Sequence, residues 1–375
     1  MLTVTKSIQT PNDNLNLALE DHPSLPKNFL HRMVIAGGFA PSGDNLQPWA
    51  FEADGAALVV RQDLKSDQSL FNIRCLASFI ALGGVLENII IAASDEGYFA
   101  KINYFPAGQQ DEVIARVTFE QGSPKDRLMP FIKERCTNRR SYTKTALSQH
   151  TLTALDVTKY YPRIGLSWIQ DTVKLKALGK LISGADRLLF ENSLIHKHFF
   201  STIRWTAAEV ERTRNGLPIA SLELGRIGSI AFRCLKNWSL VRTLNHFGFS
   251  SAAAHHSIVL MRHCSAAGLL STSDTSSLGF IEAGRAFQRL WLQATAEKLA
   301  LQPMTSIIFL QLRLQLGDHN GLTSQQVTAL AKLTERFNQF FEFSKCPIPA
   351  MLFRVGYAPD PTARTIRRYT ADMIK

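Results

Sequence analysis

The sequence predicts an α+β chain built from two related halves. Three observations carry this. Segments 71–98 and 282–301 are both long, with apolar residues at helical spacing; in the first, Phe79, Leu82, Gly83, Leu86, Ile89, Ile90 and Ala93 form one stripe. Segments 100–105 and 112–120 alternate apolar and polar residues, as half-buried strands do. Finally, a shift of 201 residues lays 83–100 on 284–301, with Gly83/Gly284, Ala93/Ala294 and Glu96/Glu297 identical and the apolar stripes coincident. Any two amphipathic helices align in part, so the repeat supports a duplication without establishing one.

In chain order, residues 1–27 show no period and several turn formers, and read as an arm. Segment 29–39 is helix-like and 49–61 strand-like. Between them stands Ala40-Pro41-Ser42-Gly43-Asp44-Asn45-Leu46-Gln47-Pro48-Trp49. Its prolines fix φ, Gly43 permits left-handed backbone, and Ser42, Asp44 and Asn45 bond their own backbone in tight turns. It is a stiff turn presenting short polar side chains. After the first long helix and its two strands, 121–126 is a linker and 129–135 a short helix. Arg135-Cys136-Thr137-Asn138-Arg139-Arg140-Ser141-Tyr142 follows. Segment 165–170 reads as a strand, 173–184 and 188–211 as helices, and 214–218 as a turn. Residues 200–249 have no sheet period and contain Trp205 and Trp238. Segment 257–264 is strand-like, 351–357 a final strand and 359–368 a basic coil.

The chain has 375 residues, 45% of them hydrophobic, enough for two domains or a duplicated one. The five cysteines are scattered without a C-x-x-C pair, so neither a disulfide framework nor a zinc site is indicated. The histidines His196, His198, His255, His256 and His263 lack a second ligand pair at zinc spacing, and no metal is expected. The N-terminus has no apolar signal core, and the best apolar run, 79–93, is interrupted by Glu87 and Asn88. The expectation is a cytoplasmic protein with no membrane partner. Net charge is +11 and uneven: residues 1–134 hold 11 Lys and Arg against 16 Asp and Glu, and the remainder 31 against 15. A basic half suits an anionic ligand, but no nucleic-acid signature accompanies it, and nucleic acid is not expected as a partner. Gly-rich phosphate loops are absent as well.

The loop 40–49 resembles the flavin-edge loop of the nitroreductase family of FMN-dependent enzymes, whose pattern is close to APSxxNxQPW. The element 135–142 is similar to the RxTNRRxY element of that family's long, single-chain Acg-type branch. Segment 284–303 resembles its central helix, and with 351–357 the likeness runs from about residue 29 to the end. It is weakest over 195–250. The resemblance implies an α+β, nitroreductase-like fold with two tandem halves in one chain, a pseudo-dimer enclosing one FMN. The expected divisions are an arm at 1–27, a first half at 28–124 and a second at 125–375, with a lid insertion near 195–250.

The resemblance also assigns residues. Pro41, Ser42, Asp44 and Asn45 would border the flavin, while Gln47 and Trp49 hold the loop. Arg139, Arg140 and Ser141 would meet the phosphate and ribityl chain, for which guanidinium forks are geometrically suited. Arg367, then Arg364 and Arg368, would close over the phosphate. Met304 and Thr305 stand where backbone donors approach the flavin. The implied activity is NAD(P)H-dependent reduction of an electron-poor acceptor such as a nitroaromatic or quinone, in a monomer or homodimer. The rival is an FMN-storing protein with little turnover, its flavin covered by the 195–250 lid. A third reading keeps the enzyme and changes the reaction, to flavin-ring fragmentation or a biosynthetic dehydrogenation.

Overall fold

The computed structural model describes residues 19, 21–109, 111–341 and 345–375. Residues 1–18 and 20 of the expected arm lie outside the described residues. The first helix, α1 (Phe29–Gly38), runs into the loop that precedes β1 (Trp49–Asp54). The expected single strand at 49–61 is instead a hairpin of β1 and β2 (Ala57–Gln62), with Asp54 opposite Ala57. Gly55 turns the chain at φ 59°, the left-handed backbone that an Asp-Gly pair supplies. After α2 (Leu76–Asp95) come β3 (Tyr98–Tyr104) and β4 (Val113–Gln121), which complete an antiparallel sheet of order β1-β2-β4-β3.

Short helices α3 (Phe131–Glu134) and α4 (Gln149–Ala154) lead to β5 (Ile164–Ile169) and α5 (Thr172–Asp186). A largely helical stretch follows, with α6 (Leu188–Glu191), α7 (Ser193–Thr202), β6 (Ile203–Arg204), α8 (Ala207–Thr213), β7 (Leu217–Pro218), α9 (Gly225–Cys234) and α10 (Trp238–Asn245). β6 and β7 form a two-residue parallel pair, which breaks the expected helix at 188–211. The expected strand at 257–264 is also corrected: all but its last two residues lie in helix α11 (Phe249–Arg262), and the strand is β8 (Ala266–Thr272), buried along its whole length. A short apolar run has no period that separates a buried strand from a buried helix, hence the misreading. The second long helix, α12 (Ser277–Ala296), ends before the expected 301, and its last predicted residues belong to β9 (Ala300–Pro303). Then come α13 (Ser306–Gln315), α14 (Ser324–Asn338) and β10 (Ile348–Gly356). The second sheet is antiparallel, of order β5-β8-β10-β9.

The two sheets share one topology. In each, two strands precede the long helix and two follow it, and the last strand in sequence lies inside. The long helices α2 and α12 are 20 residues each and begin 201 residues apart, the shift read from the sequence. They pack against each other at the centre of the molecule. The helix over 73–95 is apolar and long enough to cross a bilayer, but 83% of its apolar window is buried inside the structure.

Candidate functional site

A cavity of about 260 Å³ lies where the two sheet-and-helix units meet. Its apolar side comes from both long helices: Ala77, Ile80 and Ala81 of α2, and Gly284, Phe287 and Trp291 of α12. Phe309 of α13 and Met351 of β10 extend it. Two alanines of α2 leave room on this side, and Phe287 and Trp291 stand together with ring centroids 5.3 Å apart and planes tilted by 52°.

The loop after α1 forms one rim, with Pro41, Ser42, Asp44 and Asn45 all on the cavity wall. Asp44, Asn45 and Gln47 hold left-handed backbone at φ 46°, 57° and 54°. Asn and Asp tolerate that region better than other side chains, yet three such residues in four positions is costly backbone. Tertiary contacts hold it. Gln47, wholly buried, donates through Nε2 to the Arg214 carbonyl (2.8 Å) and accepts the Arg368 N–H (2.9 Å). Asn45 donates to the carbonyls of Gly216 (3.2 Å) and Ile366 (3.0 Å), and its own carbonyl accepts the Gly216 N–H (3.2 Å).

The element 135–142 crosses the opposite rim. Asn138 N–H donates to the Leu301 carbonyl (3.1 Å), and Thr137 bridges to Leu301, so the chain is extended beside β9. Successive side chains of extended backbone point to opposite sides. Thr137 and Arg139 therefore line the cavity, whereas Asn138 bonds the Pro359 carbonyl (2.8 Å) and Arg140 bonds the Asp360 carbonyl (3.0 Å) and approaches Glu223. The C-terminal coil closes the site with Arg364 and Arg367. Arg367 donates to Asn45 Oδ1 (2.7 Å) and Thr365 Oγ1 (3.0 Å).

Electrostatics set this cavity apart. Lys133, Arg135, Arg139, Arg364 and Arg367 line it, against a single carboxylate, Asp44. None of the five forms an ion pair with a described residue. Arg135 is held by the Phe39 carbonyl (3.0 Å) and lies over the Trp291 ring at 4.5 Å from its centroid. Burial pushes the Arg135 guanidinium down to about 10 and that of Arg367 to about 9, the latter also repelled by Arg135. The Nε–H groups of both lack a partner. Burial pushes the Asp44 carboxyl up, opposed by His198 and Arg139. Buried cations without counter-charges are costly, and an anion placed among them would relieve that cost.

The position related to this cavity by the 201-residue shift is filled. Thr305 lines the cavity, and Tyr104 is its counterpart. The Tyr104 hydroxyl accepts from Arg285 Nη1 (2.8 Å), and Arg285 Nε donates to Glu87 (3.0 Å). Arg289 donates to the other Glu87 oxygen (2.5 Å). Arg285 is the counterpart of Gly84, on which a Cβ would stand 3.3 Å from Pro41. A guanidinium thus stands where the first half of the chain has a glycine.

Two residues of the middle stretch form the cavity's roof, Leu217 of β7 and Ser221, whose carbonyl accepts from Arg139 (3.3 Å).

No family model matches the chain. It is 23% identical over 350 residues to an uncharacterized protein, MT1398, of Mycobacterium tuberculosis (strain CDC 1551 / Oshkosh); the overlap is 92% of this chain and 48% of that one. The chain thus spans about half the length of the curated relative it matches. Among solved structures it is similar to a nitroreductase with bound FMN from Bacteroides fragilis NCTC 9343, at 12% identity and TM-score 0.31, over 63% of this chain and 90% of that one. It is also similar to iodotyrosine deiodinase bound to FMN and 3-iodo-L-tyrosine (13%, TM-score 0.33, 64% and 95%). A third is the FMN-dependent nitroreductase NfnB from Mycobacterium smegmatis in complex with NADPH (13%, TM-score 0.34, 65% and 95%).

Of the residues singled out in the sequence, Pro41, Ser42, Asp44, Asn45, Arg139, Thr305, Arg364 and Arg367 line the cavity together. Arg140, Ser141, Met304 and Arg368 do not. Arg140 faces the C-terminal coil, Ser141 is exposed, and the Met304 N–H is taken by the Leu352 carbonyl (2.8 Å). Arg368 donates to the carbonyls of Gln47 (2.9 Å) and Trp49 (2.5 Å) and so holds the loop. Sequence reasoning missed Lys133, Arg135, Phe287 and Trp291. Arg135 was visible as the first residue of its element; Phe287 and Trp291 lay unremarked in the helical segment 284–303.

Proposed function

We propose that this cavity holds one FMN and that the protein is an FMN-dependent oxidoreductase, using NAD(P)H to reduce an electron-poor acceptor of nitroaromatic or quinone type. The carrying observation is the cavity's composition: five cations against one carboxylate, beside an apolar wall drawn from both central helices. A phosphate dianion suits the first part and a planar ring the second. The likeness of 40–49 and 135–142 to family elements points to the same cofactor. When bound, the flavin supplies the hydride chemistry. Arg139, Arg364 and Arg367 would hold the phosphate, with Arg135 and Lys133 adding positive charge. Pro41, Ser42 and Asn45 would border the ring, and Phe287, Trp291 and Met351 would exclude water behind it. We place the two halves at 28–124 and 125–375. The filled counterpart at Tyr104 and Arg285 supports one cofactor per chain.

The roof favours a second reading. Asn45 and Gly216 exchange backbone and side-chain bonds, so the middle stretch, our candidate lid at about 195–250, is tied to the rim. A lid held this way suits retention of FMN with little turnover. Releasing the chromophore from purified protein and following NAD(P)H consumption tests both. One FMN per chain with steady oxidation supports the enzyme, and one FMN without oxidation supports storage. FAD, or two FMN per chain, overturns the site.

A further inference from the structure

The middle stretch contains a second cavity, of about 560 Å³, that shares no residue with the first. Its walls are aromatic. His196 lies 4.4 Å from Phe200 and 5.1 Å from Trp238, ring centroid to centroid, and Phe200 and Trp205 are nearly parallel at 15°. The His196 Nε2 is engaged with the Leu235 carbonyl (2.8 Å), and burial pushes its imidazole below the ordinary value, so this wall is uncharged at neutral pH.

Around the aromatic wall stand Lys197, Arg212 and Lys236, all exposed and none paired with a described carboxylate. The one carboxylate in the lining, Glu209, is committed elsewhere: it accepts the N–H groups of Trp205 (2.5 Å) and Thr206 (3.2 Å) in the cap of α8. Arg204 is committed too, to the Ser201 carbonyl, Thr213 Oγ1 and Asn215 Oδ1. Four cations, three of them without a described carboxylate partner, thus face one carboxylate around a ring-lined hollow.

We propose that this second cavity binds a planar aromatic anion, an aromatic carboxylate or sulfonate. The ring packs on Trp205, Phe200 and Trp238, where aromatic pairs gain beyond simple area burial. The anionic group lies toward Lys197, Arg212 and Lys236. A neutral aromatic forgoes the charge term, and an inorganic anion forgoes the ring surface, so both bind more weakly. The assignment is independent of what the first cavity holds. However, β6 forms the floor of this hollow and pairs with β7, whose Leu217 roofs the first.

The test is calorimetric titration of the full chain, as purified, with 2-naphthoate, and with uncharged 2-naphthol as comparison. The expected result is saturable binding of one equivalent of naphthoate, about tenfold tighter than naphthol and weakening as salt is raised. The triple variant Lys197→Gln, Arg212→Gln, Lys236→Gln changes only exposed side chains and lowers naphthoate affinity about tenfold while leaving naphthol unchanged. Trp fluorescence reports occupancy independently, through Trp205 and Trp238. Absence of saturable binding, equal affinity for the two probes, or unchanged naphthoate affinity in the triple variant overturns the proposal.

Discussion

Gly83 of α2 and Gly284 of α12 face each other across the seam between the halves, with no room for a side chain on either. A Cβ on Gly83 would lie 2.1 Å from the Ile281 carbonyl oxygen and 2.9 Å from the Gly284 Cα. A Cβ on Gly284 would lie 2.0 Å from the Ile80 carbonyl oxygen. Ile80 and Ile281 are themselves 201 residues apart, so the contact is reciprocal, as at a two-fold interface of like subunits.

Each of Gly83→Ala and Gly284→Ala is therefore expected to force the helices apart. The clash is with backbone, and no rotamer change relieves it. Overpacking typically costs about 1–3 kcal/mol, and a backbone clash at a central seam belongs at or above the top of that range. Urea denaturation measures it. A variant with unchanged midpoint would mean that the helices are not in this contact.

Glu87 is buried between Arg285 and Arg289. Burial alone would raise its pKa, but the two guanidinium groups outweigh it and hold the carboxyl below its ordinary value. The stability it contributes is present above the unfolded value of 4.5 and is lost as pH falls through the lower folded value. Glu87→Gln leaves half-buried Arg285 without its carboxylate and Arg289 with Asp126 alone (2.9 Å), and about 3 kcal/mol is the expected loss at neutral pH. The variant's stability should change less between neutral and acidic pH than the wild type's, as thermal denaturation across that range will show.

Arg139 and Arg140 are adjacent in sequence and opposite in orientation. Arg139→Ala is expected to weaken FMN by about one to two decades, since a charge-assisted bond contributes roughly 1.5–3 kcal/mol. Arg140→Ala should change affinity little. Fluorescence titration of cofactor-free protein with FMN compares them, and equal losses would contradict the alternation of side chains along 137–140.

Asn45→Ala removes bonds to Gly216, Ile366 and Arg367 together. It should speed FMN release about tenfold or more, at roughly 1 kcal/mol per neutral bond. Stopped-flow fluorescence after dilution reads the rate. If the roof restrains access, NAD(P)H-dependent reduction should rise in the same variant.

Sequence alone determined the elements whose signal is local. The period of α2 and α12, the alternation in β3 and β4, and the turn chemistry of 40–48 are written in neighbouring residues, and the duplicated order was visible in a shift of 201. The site's two arginine-bearing elements were legible because their composition is rare. Only the tertiary structure decided which of those arginines share a cavity. The choice between Arg139 and Arg140 depends on the extended backbone imposed by Leu301, 163 residues after Asn138. That Arg368 braces Trp49 and Arg367 faces the cavity is likewise a matter of long-range hydrogen bonds to the loop. The assignment of 257–262 to a helix, and of Phe287 and Trp291 to the cavity wall, rests on what packs beside them. Burial is a property of the assembled chain, and a single stretch of sequence does not carry it.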